Sequence, residues 1–200
     1  KVALFVTCYG EYNMPQVVED LAVVLQHNGI AVQVIAHAQC CGMPKLELGD
    51  LDAVDRYKQA NLPALAALVA DGVDLLAPIP SCVLMFKQEI PLMYPDDSQV
   101  QAVKRAFFDP FEYLMHRHQA GLLDTRFARG LGKVAYHVPC HQRVQNIGPK
   151  TRDVLRLVPG TELEVIERPT PRAARPHGAN RARGKDDDPP DDWDEARLRW

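Results

Sequence analysis

The sequence predicts an α/β fold made of two pseudo-repeated parallel-sheet half-domains, the second incomplete, followed by a charged tail expected to be disordered. Three observations carry that expectation. Short apolar runs alternate with stretches of helical periodicity, the order that builds parallel strands with crossover helices. The opening run KVALFVTC (1–8) returns as KVAYHVPC (133–140), with Lys, Val, Ala, Val and Cys in register. From Arg168 to Trp200 the composition turns to Arg, Pro, Ala and Asp with almost no aliphatic residues. Such a stretch buries too little surface to offset its ordering entropy. The expected division is therefore 1–130, 131–167 and 168–200.

Each element has its own signal. KVALFVT (1–7) is short, apolar and bounded by polar and Gly residues, as a buried strand is. The stretch CYGEYN reads as a loop. Val17, Val18, Leu21, Val24 and Leu25 then recur at helical spacing over 14–28, with Asn13 as the expected cap, Pro15 in the first turn and Gly29 as the stop. IAVQVIA (30–36) is a second strand. Residues 51–70 predict a helix broken near Pro63 and ended by Gly72. VDLLAPIP (73–80) is a third strand, and SCVLMFKQEI (81–90) begins a helix capped by Ser81. Residues 98–118 are helical with a kink or split at Pro110.

Composition excludes several classes. An apolar fraction of 46% in 200 residues is that of a globular chain, and a net charge of −3 argues against a dedicated nucleic-acid binder. No apolar run reaches the roughly 18 residues of a membrane span. The chain starts at Lys1, directly in a strand, without an initiator Met or signal peptide, the expectation for a piece of a cytoplasmic protein. Five cysteines, an odd number without secretory features, point to metal or redox chemistry rather than a disulfide framework.

The cysteines are the chemically informative residues. HAQCCGMP (37–44) sets two side by side, followed by a glycine. Neighbouring cysteines close a disulfide with each other only under strain. They are left as partners for cysteines elsewhere, as two buried small residues, or as two thiolates for a metal. Ligands in open parallel sheets gather at the carboxyl ends of the strands. Cys8 follows the first predicted strand, Cys40 and Cys41 the second, and Cys82 the third, so all four are expected on one rim.

The second copy breaks off. PKTRDVLRLVPG repeats the helix, LEVIE (163–167) repeats the second strand, and Cys140 matches Cys8. Five residues after Ile35 stands the cysteine pair; five after Ile166 stand Pro171 and Arg172. The tail reads either as a natural charged extension or as a shifted reading frame, and a junction at the point where the repeat calls for its cysteines favours the second. An intact frame at the locus, shared with close relatives, would contradict it.

The series Cys8, Cys40-Cys41-Gly42, Cys82 resembles the CCG, or cysteine-rich, domain. That domain occurs in the B-subunits of heterodisulfide reductases, the C-subunits of anaerobic glycerol-3-phosphate dehydrogenases, and the iron–sulfur subunits of glycolate and lactate oxidation systems. HVPCH (137–141), with Gly148 and VPG (158–160), looks like the start of a second such module, and the wording is most like the glycerol-3-phosphate dehydrogenase type. The resemblance covers residues 1–167. It implies an iron–sulfur cluster on Cys8, Cys40, Cys41 and Cys82, with Cys140 a further candidate. It also implies electron transfer from a flavoprotein dehydrogenase to a quinone or disulfide acceptor, in the cytoplasm or at the inner face of the membrane through partner proteins. Where the family's fullest motif carries C-x-x-C, this chain has Ile79-Pro80-Ser81-Cys82. Four cysteines suit a [4Fe–4S] cubane better than the five-cysteine non-cubane cluster of heterodisulfide reductases.

Other readings stay open at this point. Cys40 or Cys41 acting directly makes a metal-free thiol–disulfide protein, whose mark is a thiol of lowered pKa. Four thiolates also suit zinc in an interaction module, although zinc sites favour closely spaced C-x₂₋₄-C knuckles, which are absent from this sequence. His37, His137, His141, Tyr9, Tyr12 and Tyr136 lie near the cysteines in sequence, but as loop or packing residues they need no function. The basic end of FEYLMHRH (111–118) reads as a solvated helix end. No phosphate-binding or dinucleotide fingerprint occurs.

Overall fold

β1 (Val2–Leu4) is the central strand of a four-stranded parallel sheet whose computed structural model describes residues 1–166 of the chain. The expectations for the tail from 168 onward, and for the missing second cysteine pair, lie outside the described residues. Along the chain follow α1 (Cys8–Tyr12), α2 (Pro15–His27) and β2 (Val32–Val34). Next come α3 (Met43–Glu47), α4 (Leu51–Ala70) and β3 (Asp74–Leu76). α5 (Pro80–Leu84) runs through a π-helical turn, Met85–Glu89, into α6 (Ile90–Met93). α7 (Ser98–Ala106), β4 (Phe107–Phe108) and α8 (Pro110–Gln119) complete the first half. The second half has β5 (Gly132–His137), α9 (Cys140–Arg143), α10 (Lys150–Arg156) and β6 (Thr161–Ile166).

The first sheet has the order β2-β1-β3-β4, all parallel, with Val2 opposite Val32 on one side and Asp74 on the other. Its central strands are buried on both faces, which is why they read as unbroken apolar runs. Alternation decides which layer each residue meets. Ala3, Phe5, Leu75 and Phe107 pack with Val54, Leu62 and Leu65 of α4 and Val100 and Val103 of α7. Val2, Leu4 and Leu76 pack with Val18 and Leu25 of α2 and Tyr113 and Leu114 of α8. The result is a three-layer α/β/α arrangement, in keeping with the expected α/β class.

The repeat is structural as well as textual. β5 and β6 pair in parallel, as β1 and β2 do, and each leading strand is followed by a short helix that starts on a cysteine, Cys8 in α1 and Cys140 in α9. Val154 of α10 packs into the core layer formed by α2 and α8. The amide of Gln142 bridges the halves, donating to Asp109 Oδ2 at 3.2 Å and to Thr151 Oγ1 at 2.8 Å.

Four local expectations are corrected. CYGEYN is a short helix rather than a loop, with Thr7 as its cap. Asn13 therefore ends α1, its N–H donating to Tyr9 O, and Met14 precedes α2 without a side-chain cap. α4 runs straight through Pro63. Pro63 and Gln59 both sit on the solvent face, so the carbonyl that loses its helical partner is left to water. Ser81 is the second residue of α5, because Pro80 takes the first position, where its missing N–H costs nothing. The segment 98–118 is split before Pro110, as expected, with the short strand β4 between α7 and α8. Asp109 caps α8 in a reciprocal box with Glu112.

That cap belongs to a buried polar cluster. Asp109 is 1% exposed and Glu112 9%, and Lys87 from the π-helical turn donates to Glu112. Removing one partner of a buried pair leaves the other charge uncompensated. Lys87→Met is expected to lower unfolding free energy by about 3 kcal/mol, read from urea denaturation. A loss below about 0.5 kcal/mol, the range of a surface substitution, would contradict it.

Candidate functional site

The site lies at the carboxyl rim of the first sheet, where the loops after β1, β2 and β3 meet. Strand order reverses direction between β1 and β3, and Cys8 and Cys82 follow those two strands. Cys40 and Cys41 come from the loop after β2. The four thiols lie as successive neighbours that influence one another, Cys8 beside Cys40, Cys40 beside Cys41, and Cys41 beside Cys82. Cys41 and Cys82 are each 4% exposed, whereas Cys40 is half-buried and Cys8 exposed. The run therefore leads from the surface into the core.

Local backbone geometry sets up these positions. Thr7 has φ 73° and ψ 151°, a region that β-branched residues rarely adopt, and its hydroxyl accepts a hydrogen bond from Gly10 N at 3.0 Å. This turn swings the chain from β1 into α1 and presents Cys8. Gly10 is required by packing. A Cβ there would lie 2.6 Å from Val18 Cγ2 of α2. Gly10→Ala is expected to push α1 away from α2 at a cost of about 1–3 kcal/mol. Faster alkylation of Cys8 would accompany it, and an unchanged rate would contradict this account. On the second loop His37 has φ 56° and Gly42 φ 95°, so left-handed residues flank the cysteine pair. Unusual backbone conformations persist where surrounding contacts over-determine them, and they gather at functional sites.

Electrostatics make the site uncomfortable for charge. Cys40 is shifted well above the ordinary thiol range, first by its hydrogen bond with Cys41 and then by burial. Cys41 is shifted in the same direction: the Cys40 contact favours its thiolate, but the Cys82 contact and burial outweigh that. Burial, followed by the Cys40 contact, raises Cys8. Thiolates crowded in this way form together only when a cationic centre compensates them.

A cleft of about 650 Å³ opens beside the exposed end of the run, walled by Cys8, Cys40, Glu11, Tyr12, His37 and Tyr57. His37 and Tyr12 thus reach the site, and Tyr9 stays half exposed at 48%. Tyr136 does not face the cleft; its hydroxyl donates to Gln142 within the bridge between halves. His137 is exposed at the end of β5. Cys140 lies outside the run of four thiols, its Sγ 3.7 Å from His141 Nδ1, and His141 Nε2 is 3.3 Å from Glu47. Gln145 Nε2 donates to Pro80 O at 2.9 Å, so the second half also holds the first turn of the helix that carries Cys82. Among the described residues no group of three His, Cys, Asp or Glu side chains is arranged around a single ion.

Sequence reasoning missed Thr7, Glu11, Tyr57 and Asn61. Asn61 left a signal. It is a polar residue on the same helix face as the buried Val54 and Leu65.

Residues 2–87 match the model of the CCG family, the cysteine-rich domain. The chain is 30% identical over 172 residues to the C-subunit of anaerobic glycerol-3-phosphate dehydrogenase from Escherichia coli (strain K12), an alignment covering 84% of this chain and 42% of that protein. It is 28% identical over 170 residues to the B-subunit of fumarate reductase (CoM/CoB) from Methanothermobacter marburgensis, covering 84% and 31%. It is 26% identical over 168 residues to an uncharacterized iron-sulfur protein of Methanocaldococcus jannaschii, covering 84% and 30%. The chain thus spans less than half the length of each of these relatives. No solved structure matches it.

Proposed function

We propose that this chain is the electron-transfer part of an iron–sulfur oxidoreductase, with one cluster held by Cys8, Cys40, Cys41 and Cys82. The observation that carries the reading is the continuous run of four thiols at one rim, two of them inside the core. The donor set fits the group: thiolate sulfur is the ordinary ligand of iron–sulfur clusters, and four is the number a [4Fe–4S] cluster takes. Such a cluster exchanges single electrons at a potential set by burial and by hydrogen bonds to its sulfurs. Cys41 and Cys82 keep water from the inner side, and Gly42 N, 3.5 Å from Cys40 Sγ, supplies a donor to one sulfur. Ile79, in place of a fifth cysteine, favours the cubane. Residues 1–130 form the cluster-binding module, and 131–167 begin a second one that contributes the Gln145 and His141 contacts to the first.

In this reading, which follows the family resemblance of the cysteine series, electrons arrive from a partner flavoprotein dehydrogenase and leave for a quinone or disulfide acceptor. The cleft beside Cys8 is the side from which an acceptor approaches. The assembly works in the cytoplasm, at the inner membrane face where partners tether it. Among the described residues no helix is long and apolar enough to cross a membrane.

The metal-free thiol–disulfide reading has the Cys8–Cys40 contact in its favour, since those two thiols are the accessible ones. The upward shift of both thiols opposes it, because a nucleophilic cysteine needs the reverse. The zinc reading lacks the closely spaced C-x₂₋₄-C knuckle that such sites favour. Anaerobic reconstitution with iron and sulfide separates the three. The expected product absorbs broadly in the visible, and dithionite bleaches it. Five freely titratable thiols with no redox-active absorbance would overturn the proposal, as would stoichiometric zinc.

A further inference from the structure

We propose that Asn61 is a positioning residue for the cysteine pair, acting as the template on which residues 39 and 40 are held. Asn61 is 4% exposed, in the middle of α4, 21 residues along the chain from Cys40. Its Oδ1 accepts the Gln39 N–H at 2.8 Å. Its Nδ2 donates to the Gln39 carbonyl at 3.3 Å and the Cys40 carbonyl at 3.1 Å. Among the described residues, 39–41 make no hydrogen bond to other main chain. One side chain therefore does for this loop what a neighbouring strand does for β1.

The need for it follows from the loop's ends. His37 and Gly42 both hold left-handed φ values, and between them the chain has neither helix nor sheet to fix it. A segment bent this way at both ends relaxes unless something in its middle over-determines it. Asn61 sits at that middle, with donor and acceptor matched to the groups it meets. Without Asn61 the part-buried amide of Gln39 and the carbonyls of Gln39 and Cys40 lose these partners, which opens the loop locally. Any residue without both an amide donor and an acceptor fills at most part of this role.

The consequence for a cluster rests on the function proposed above, but the positioning itself does not, and the test separates the two. The full chain is compared as wild type, Asn61→Leu, Asn61→Asp and Leu62→Ala. Leu62→Ala serves as the control because it creates a cavity in the same turn while leaving Asn61 and its hydrogen bonds to the loop in place. In the metal-free protein, residue-resolved alkylation by iodoacetamide gives the rate at Cys41 relative to Cys82. Asn61→Leu is expected to raise that ratio by about tenfold. Asn61→Asp keeps the acceptor and loses both donors, so it falls between, and it stands in should Asn61→Leu fail to fold. Leu62→Ala is expected to leave the ratio unchanged. An unchanged ratio in both Asn61 variants, or an equal rise in Leu62→Ala, overturns the proposal. On reconstituted protein the Asn61 variants are also expected to shift the reduction potential or the electron paramagnetic resonance line shape, which Leu62→Ala leaves alone. A wild type that takes up no iron sinks the function, while the alkylation ratio still decides the role of Asn61.

Discussion

Cys82→Ala, purified and reconstituted without oxygen, is expected to hold iron at least tenfold less tightly than the wild type. Altering groups that merely orient metal ligands costs about 10–100-fold in affinity, and removing a ligand costs more. Cys82 is 4% exposed, is in contact with Cys41, and stands three residues into α5. Buried at the inner end of the thiol run, its place is closed to a water or added thiol that would substitute for it. Cys41→Ala is expected to behave alike. Cys8→Ala is expected to weaken retention less, because its site is open to solvent and to thiol reductants that substitute for a lost sulfur. Cys140→Ala serves as the comparison: its thiol faces His141 rather than the run, and iron content is expected to match the wild type. Iron retained in full by both Cys41→Ala and Cys82→Ala would contradict the ligand assignment.

The second large effect concerns the support beneath those cysteines. Phe86, in the π-helical turn after α5, stacks on Phe107 with ring centroids 4.8 Å apart and meets Phe5 edge-on at 5.0 Å. Phe5 and Phe107 are fully buried and Phe86 is 4% exposed. The trio joins the end of β1, β4 and the helix bearing Cys82 in one contact. Phe86→Ala removes a large buried ring and leaves a cavity, at a cost of about 3–5 kcal/mol. Urea denaturation of the metal-free protein measures it. A loss under about 1 kcal/mol would mean that the aromatic trio is not a core contact. The same substitution is expected to lower iron retention, because the helix carrying Cys82 loses its anchor.

The parts of this fold that were legible in the sequence are those where the local signal and the tertiary environment agree. β1 and β3 are buried on both faces, so they appear as apolar runs, and the rule that parallel strands present ligands at their carboxyl ends pointed four cysteines to one rim. The repeat of β1 in β5 was visible as matched residues, although β5 is much less buried than β1. What escaped depends on contacts distant in sequence. α1 exists because Thr7 adopts a rare conformation and Gly10 packs against Val18; read alone, CYGEYN is polar enough to be a loop. β4 is two residues long, too short for any period. α4 survives Pro63 because the lost hydrogen bond faces water, and exposure is a property of the folded helix. Asn61 is meaningful only once the loop that holds Cys40 is laid beside α4.

The halves of the chain also depend on each other in a way that spacing does not reveal. Gln142 reaches Asp109, and Gln145 reaches the carbonyl of Pro80, both across the boundary suggested by the repeat. The second half therefore buttresses the first site rather than hanging from it. Cys140 contributes to that half as the first residue of α9, with His141 as its neighbour, and not as a member of the thiol run.

The measurement that tests the central claim most directly is the content of iron and acid-labile sulfide per chain in protein purified without oxygen, with zinc counted in the same sample. About four iron and about four sulfide per chain, with negligible zinc, is the result for one [4Fe–4S] cluster on Cys8, Cys40, Cys41 and Cys82. A folded chain with neither iron nor sulfide, whether it holds zinc or free thiols, would contradict it.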